Sequence, residues 1–174
     1  MGFNLSSAIE ILDRSPALLE VWLRELPVEW TEVNEGPGTW SVYDIIGHLI
    51  HGEKTDWIPR MKIILSGEGE KKFEVFDRFA QFKESKGKLL VELLTEFRQL
   101  RRQNLKLLLS FNLTGSDLSR TGIHPEFGEV SLRQLLSAWV VHDLNHLAQI
   151  ARVMAFQYKE DTGPWYRYLR IINH

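Results

Sequence analysis

Ser131-Leu132-Arg133-Gln134 is a capping box, with serine at the N-cap and glutamine three residues on. It opens a run whose apolar residues recur at a helical period as far as about Tyr158. A helix of that length, about 40 Å at 1.5 Å per residue, buries its apolar stripe only against other long elements. The chain supplies them. From about Ser85 to Phe111, Leu89, Leu90, Leu93, Leu94, Phe97, Leu100, Leu105, Leu108 and Leu109 mark a second long amphipathic helix. Arg98, Arg101, Arg102 and Lys106 in its C-terminal half read as a solvated cationic face suited to the macrodipole. Ser41, with Asp44 three residues on, forms a partial capping box for a helix carrying Ile45, Ile46, His48, Leu49 and Ile50. That helix is predicted to reach about Leu65, kinked where Pro59 removes an N–H. Leu5 to Leu26 gives another, interrupted near Ser15, where Ser15 can cap and Pro16 fits a first helical position.

The remaining segments read as connections. Glu35-Gly36-Pro37-Gly38-Thr39 and Ser66-Gly67-Glu68-Gly69-Glu70 are loops. Lys71 to Phe82 is charged and aromatic, a loop with at most one helical turn, and Leu113 to Val130 is a loop containing His124-Pro125-Glu126-Phe127-Gly128. Gly163 to Leu169 forms a short C-terminal aromatic tail. No stretch shows the period-two alternation of a strand. The expected class is all-α, a helical bundle, with residues 1–174 as one domain.

Composition narrows the function. A net charge of −2 offers no electrostatic footprint for nucleic acid or an anionic membrane. No apolar run approaches the roughly 18 to 20 residues of a membrane span. The N-terminus lacks the features of a signal peptide, which predicts a cytoplasmic protein. There are no cysteines, so disulfides, thiolate ligands and a cysteine nucleophile are excluded, and any thiol must come from outside.

Two histidines, His142 and His146, lie four residues apart in the last helix and therefore share a face. Such a pair can close on one cation, histidine being the commonest ligand of zinc and its neighbours. Histidines at this spacing also occur on solvated helices and singly in cores, so the pair alone leaves both readings open. A third candidate is His48. Gly52, one turn beyond it, would leave room for a substrate, and Trp139 could wall the pocket. Asp44, one turn before His48, is the first candidate to orient a ligand ring through its other nitrogen, and Gln149 the second. Three neutral imidazoles would leave zinc a fourth position for water or a thiol, whose pKa would fall there. Nickel, iron or copper would suit the same ligands. His51 reads as a neighbour or surface residue, His124 as structural, and His174 as a disordered terminal residue. No Ser-His-Asp signature, phosphate-cradling glycine loop or zinc-protease His-Glu-x-x-His is present.

Trp40-Ser41-Val42-Tyr43-Asp44-Ile45-Ile46-Gly47-His48-Leu49, His124-Pro125-Glu126-Phe127-Gly128 and Trp139-Val140-Val141-His142-Asp143-Leu144-Asn145-His146-Leu147-Ala148-Gln149-Ile150 together resemble the DinB/YfiT-like superfamily. The resemblance runs from about Leu5 to Leu169. It implies an up-down-down-up four-helix bundle, often a homodimer, in which His48, His142 and His146 hold a divalent metal, usually zinc or nickel. Relatives include transferases that join a low-molecular-weight thiol to electrophiles, and an isomerase that depends on such a thiol. The reading that follows is a metal-dependent enzyme, a thiol S-transferase or a hydrolase, acting on a small-molecule substrate. The alternatives are a non-catalytic metal-binding stress-response module and a metal-free binder of small apolar ligands.

Overall fold

The computed structural model describes residues 2–67 and 69–173. The expectations placed on Glu68 and His174 lie outside the described residues. Helix α1 spans Leu5–Leu23, and Asn4 caps it by accepting the Ser7 N–H at 2.9 Å. The predicted interruption at Ser15 is absent: α1 runs unbroken through Pro16. A proline inside a helix leaves the carbonyl four residues back without its donor. Here that carbonyl, Leu12, accepts instead from Arg101 at 2.7 Å.

After a short helix α2 (Val28–Thr31), α3 (Val42–Thr55) starts at a full capping box. Ser41 Oγ accepts the Asp44 N–H at 3.2 Å, and Asp44 Oδ2 accepts the Ser41 N–H at 2.9 Å. The helix ends at Asp56, and α4 (Trp57–Leu65) continues the path. The break falls before Pro59, not at it, because a proline ring clashes with the carbonyl four residues earlier, which here belongs to Thr55. Helix α5 (Gln81–Glu84) is the single turn expected in the connection.

Helix α6 covers Leu90–Ser110 and starts later than predicted. Gly87 adopts a left-handed φ of 81°, which stops the helix from reaching back to Ser85. Glu92 Oε2 then accepts the Leu89 N–H at 2.6 Å at the true start. The loop expected at Leu113 to Val130 contains a 3-10 turn (Asp117–Ser119) and an antiparallel hairpin, β1 (Thr121–His124) with β2 (Gly128–Ser131). Four-residue strands are too short to display alternation, and this pair is held partly from elsewhere: Phe73 N–H donates to Ile123 O at 2.9 Å, and Ile123 N–H to Lys71 O at 2.7 Å. Gly122 permits this approach, since a Cβ there would come within 2.6 Å of the Phe73 ring. Helix α7 (Leu132–Phe156) follows, its start set by the Ser131–Gln134 capping box. The tail, Glu160–Tyr168, is 3-10 helix kinked at Gly163.

Helices α1 and α3 each pack against both α6 and α7. Two apolar clusters fill the bundle. One centres on Met61, Leu108, Leu136 and Trp139, the other on Ile45, Ile46, Leu93 and Phe97. Between them lies a polar layer built on Arg101, which is 1% exposed. It was expected on a solvated face. Its guanidinium pairs instead with Glu53 at 2.8 Å and with Asp143 at 2.6 Å. Asn104 and Trp139 also donate to Glu53, at 2.9 and 3.0 Å. Burial opposes the charge of Arg101, but the two carboxylates outweigh it and raise the guanidinium pKa. The layer ties all the long helices together beside the histidines.

Candidate metal centre

His48 projects from the middle of α3, and His142 and His146 from successive turns of α7. Their Nε2 atoms converge. His48 and His146 each approach His142 to 3.1 Å, and one ligand atom from each of the three lies within 4.8 Å of the others. Burial lowers the His48 pKa to about 3, helped by His146, His51 and Arg78. Burial, with His146 and His48 beside it, lowers His142 to about 2. His146 is lowered by burial too, with Gln149 acting the other way. All three rings are therefore neutral at physiological pH, with lone pairs available to a cation.

The donor set fits a metal. Tetrahedral geometry with zinc–nitrogen bonds of about 2.0–2.1 Å places ligand nitrogens roughly 3.3 Å apart, close to the spacing of these rings. Gln149 Oε1 lies 2.8 Å from His146 Nδ1. Accepting the Nδ1–H fixes the tautomer that presents Nε2 to the cluster.

The other residues singled out in the sequence fall differently. Asp44 is spent on the Ser41 cap and does not reach His48, whose Nδ1 has no partner among the described residues; the same holds for His142 Nδ1. Gly52 opens no path for substrate. The direction its Cβ would take is filled by Trp57, with Nε1 at 3.4 Å. Trp139 is fully buried behind the site, stacked on Trp57 at 5.8 Å and bonded to Glu53. Trp57 is the wall, edge-on to His142 at 5.1 Å. Trp40, 4.8 Å from the His48 ring and stacked at 6.4 Å on His146, closes the other side. His51 is buried and pairs with Glu84 at 3.1 Å.

The cluster opens into a cavity of about 880 Å³ between the α3–α4 break, the segment after α4, the hairpin and α7. The wall carries polar residues that the sequence did not mark as part of the site, Asp56, Arg60 and Arg78 among them. Asp56, at the helix break, pairs with Arg60 at 2.6 Å. Burial raises its carboxyl to about 6, against the opposing effects of Arg60 and His51. His124 also lines the cavity. The available signal was position: Asp56 sits three residues before Pro59, where the chain must bend.

A sequence profile of the DinB superfamily matches residues 11–150. The chain belongs to the DinB superfamily. Its fold is similar to that of YfiT from Bacillus subtilis, described as a probable metal-dependent hydrolase with an unusual four-helix bundle topology. The TM-score is 0.72 at 21% identity, over 91% of this chain and 87% of that one. No curated protein matches the sequence. The expected family and four-helix bundle thus hold for this DinB-superfamily protein, with a small hairpin added to the expected fold.

Proposed function

We propose that this DinB-superfamily protein is a metal-dependent hydrolase of a small molecule, with His48, His142 and His146 as the ligands. The convergence of three buried, neutral Nε2 atoms on the floor of a large cavity carries the reading. A divalent metal held there, zinc or nickel by ligand type, supplies Lewis acidity and brings the pKa of water toward about 7. The chain's own residues do the rest. Gln149 holds His146 in the ligating tautomer. Arg101, gripping Asp143 next to His142, fixes the register of α7. Trp40 and Trp57 shield the rings from bulk solvent. Asp56, whose carboxyl burial raises to about 6, is the cavity-wall carboxylate that would serve as a proton acceptor for a substrate held in the cavity.

The size of the cavity favours a second reading on the same site. About 880 Å³ is near the upper end of small-molecule pockets and has room for a low-molecular-weight thiol beside its electrophile. With no cysteine in the chain, that thiol would be a co-substrate.

The test is turnover of a panel of p-nitrophenyl esters by zinc- and nickel-loaded protein, with and without added thiol. Hydrolysis without thiol is expected, abolished in His142→Ala. In Asp56→Asn it should fall by about 10²-fold or more with metal content unchanged. Turnover that survives chelation, or appears only with thiol, would overturn the hydrolase reading.

A further inference from the structure

The cavity is chemically lopsided. Apart from the histidines its wall is largely apolar, with Trp57, Phe73, Val75, Phe76, Phe127 and Leu135. Val75 is 79% and Phe127 70% exposed, so the apolar surface continues onto the rim. The charged side chains in this setting are Asp56, Arg60, Arg78 and Glu126. Asp56 and Arg60 neutralise one another at 2.6 Å. Glu126, on the hairpin turn, and Arg78, in the segment after α4, are both exposed at the rim. Arg78 has no ion pair and no hydrogen bond among the described residues. Its neighbour Asp77 is turned away, accepting the Phe79 N–H at 2.9 Å. Arg78 nevertheless lines the same cavity as His48, His142 and His146.

His124 adds a neutral donor on the hairpin side. Its Nδ1 accepts the backbone N–H groups of Glu126 and Phe127 at 3.1 and 3.2 Å, which leaves the ring proton on Nε2. Stacking on Phe127 at 4.3 Å holds the ring in place. An apolar pocket with an uncommitted guanidinium is matched by a molecule that brings hydrocarbon and one anionic group. The exposed guanidinium offers a planar fork for a charge-assisted, bidentate bond to a carboxylate at the rim, while the hydrocarbon body is buried against the apolar wall. An uncharged analogue gains only the apolar contact.

We propose that the cavity selects apolar, aromatic-bodied acids, with Arg78 at its rim receiving the carboxylate. This deepens the reading of the cavity as a substrate pocket and stands apart from whether a metal is bound.

The test is calorimetric titration of the full chain with 4-phenylbutyrate and with its uncharged counterpart 4-phenylbutan-1-ol, on protein as purified and after metal removal. The acid is expected to bind up to about fivefold more tightly than the alcohol in both forms, less so at high salt. Arg78→Gln should reduce the preference to about twofold or less. Arg78→Lys should keep part of it, as a point charge without the planar fork. Ala138→Trp, which narrows the cavity, should weaken binding of both probes. The proposal is overturned if wild type does not prefer the acid, if the preference survives Arg78→Gln, or if neither probe binds. It is also overturned if Ala138→Trp binds as before. Absence of metal or of ester turnover would instead remove the hydrolase reading and leave these titrations to stand or fall by themselves.

Discussion

At the scale of single residues, Arg101 does more than any other side chain to hold the site together. From α6 it reaches Leu12 on α1, Glu53 on α3 and Asp143 on α7. Pro16 makes the first contact useful, because it leaves the Leu12 carbonyl without a helical donor. Arg101→Met would strand two buried carboxylates and is expected to destabilise the protein by about 3–5 kcal/mol, read as a lower midpoint in urea unfolding. The triple variant Arg101→Met, Glu53→Leu, Asp143→Leu should recover most of that loss, since a matched apolar replacement leaves no buried charge unpaired. A single variant as stable as wild type would show that the layer is not a structural junction. Arg101 was readable in principle. It falls on the stripe of Leu94, Phe97, Leu105 and Leu108, and only its charge assigned it to the surface. Glu53 sits likewise on the buried face of α3.

At the scale of elements, local chemistry announced where helices begin better than where they bend. Ser41–Asp44 and Ser131–Gln134 form the reciprocal caps that their spacing implies. The interruption expected near Ser15 failed because tertiary structure supplied a donor for the freed carbonyl. The hairpin was illegible because its pairing is completed by Lys71 and Phe73, distant in sequence. The packing of α5 on α3 is a sensitive joint. Gly47 faces Gln81 and Ser85, and a Cβ would come within 3.0 Å of Gln81 Cβ and closer still to Ser85 Oγ. Gly47→Ala is therefore expected to cost about 1–3 kcal/mol. It should also increase hydrogen exchange in α5 and loosen the His51–Glu84 pair behind the cluster. Unchanged exchange in α5 would mean that the turn yields without cost.

At the scale of the whole molecule, the bundle keeps three imidazoles neutral in a place where protons are unwelcome. Their folded-state pKa values lie below the ordinary value of about 6.5. As pH falls below that value the unfolded chain takes up protons that the folded chain refuses. Metal-free protein should therefore be at full strength above about pH 6.5 and lose up to about 1.4 kcal/mol per pH unit for each of His48 and His142 as acid is added toward pH 3, with His146 acting in the same direction. Urea titrations from pH 8 to pH 4 read this directly, and His142→Gln should flatten the slope. An equally steep slope in that variant would place the linkage elsewhere. The three converging histidines were legible because helical spacing and family pattern agreed on them. Their surroundings were not, because Trp57 and Asp56 enter from a helix break and Arg78 from a loop, where no period constrains them. The most direct test is the metal content of untagged protein, wild type beside His48→Ala, His142→Ala and His146→Ala. One equivalent of a divalent transition metal in wild type and in Asp44→Asn, lost in each histidine variant, is the result expected. Metal retained when the three histidines are removed together, or a wild type that takes up none at neutral pH, would contradict the account.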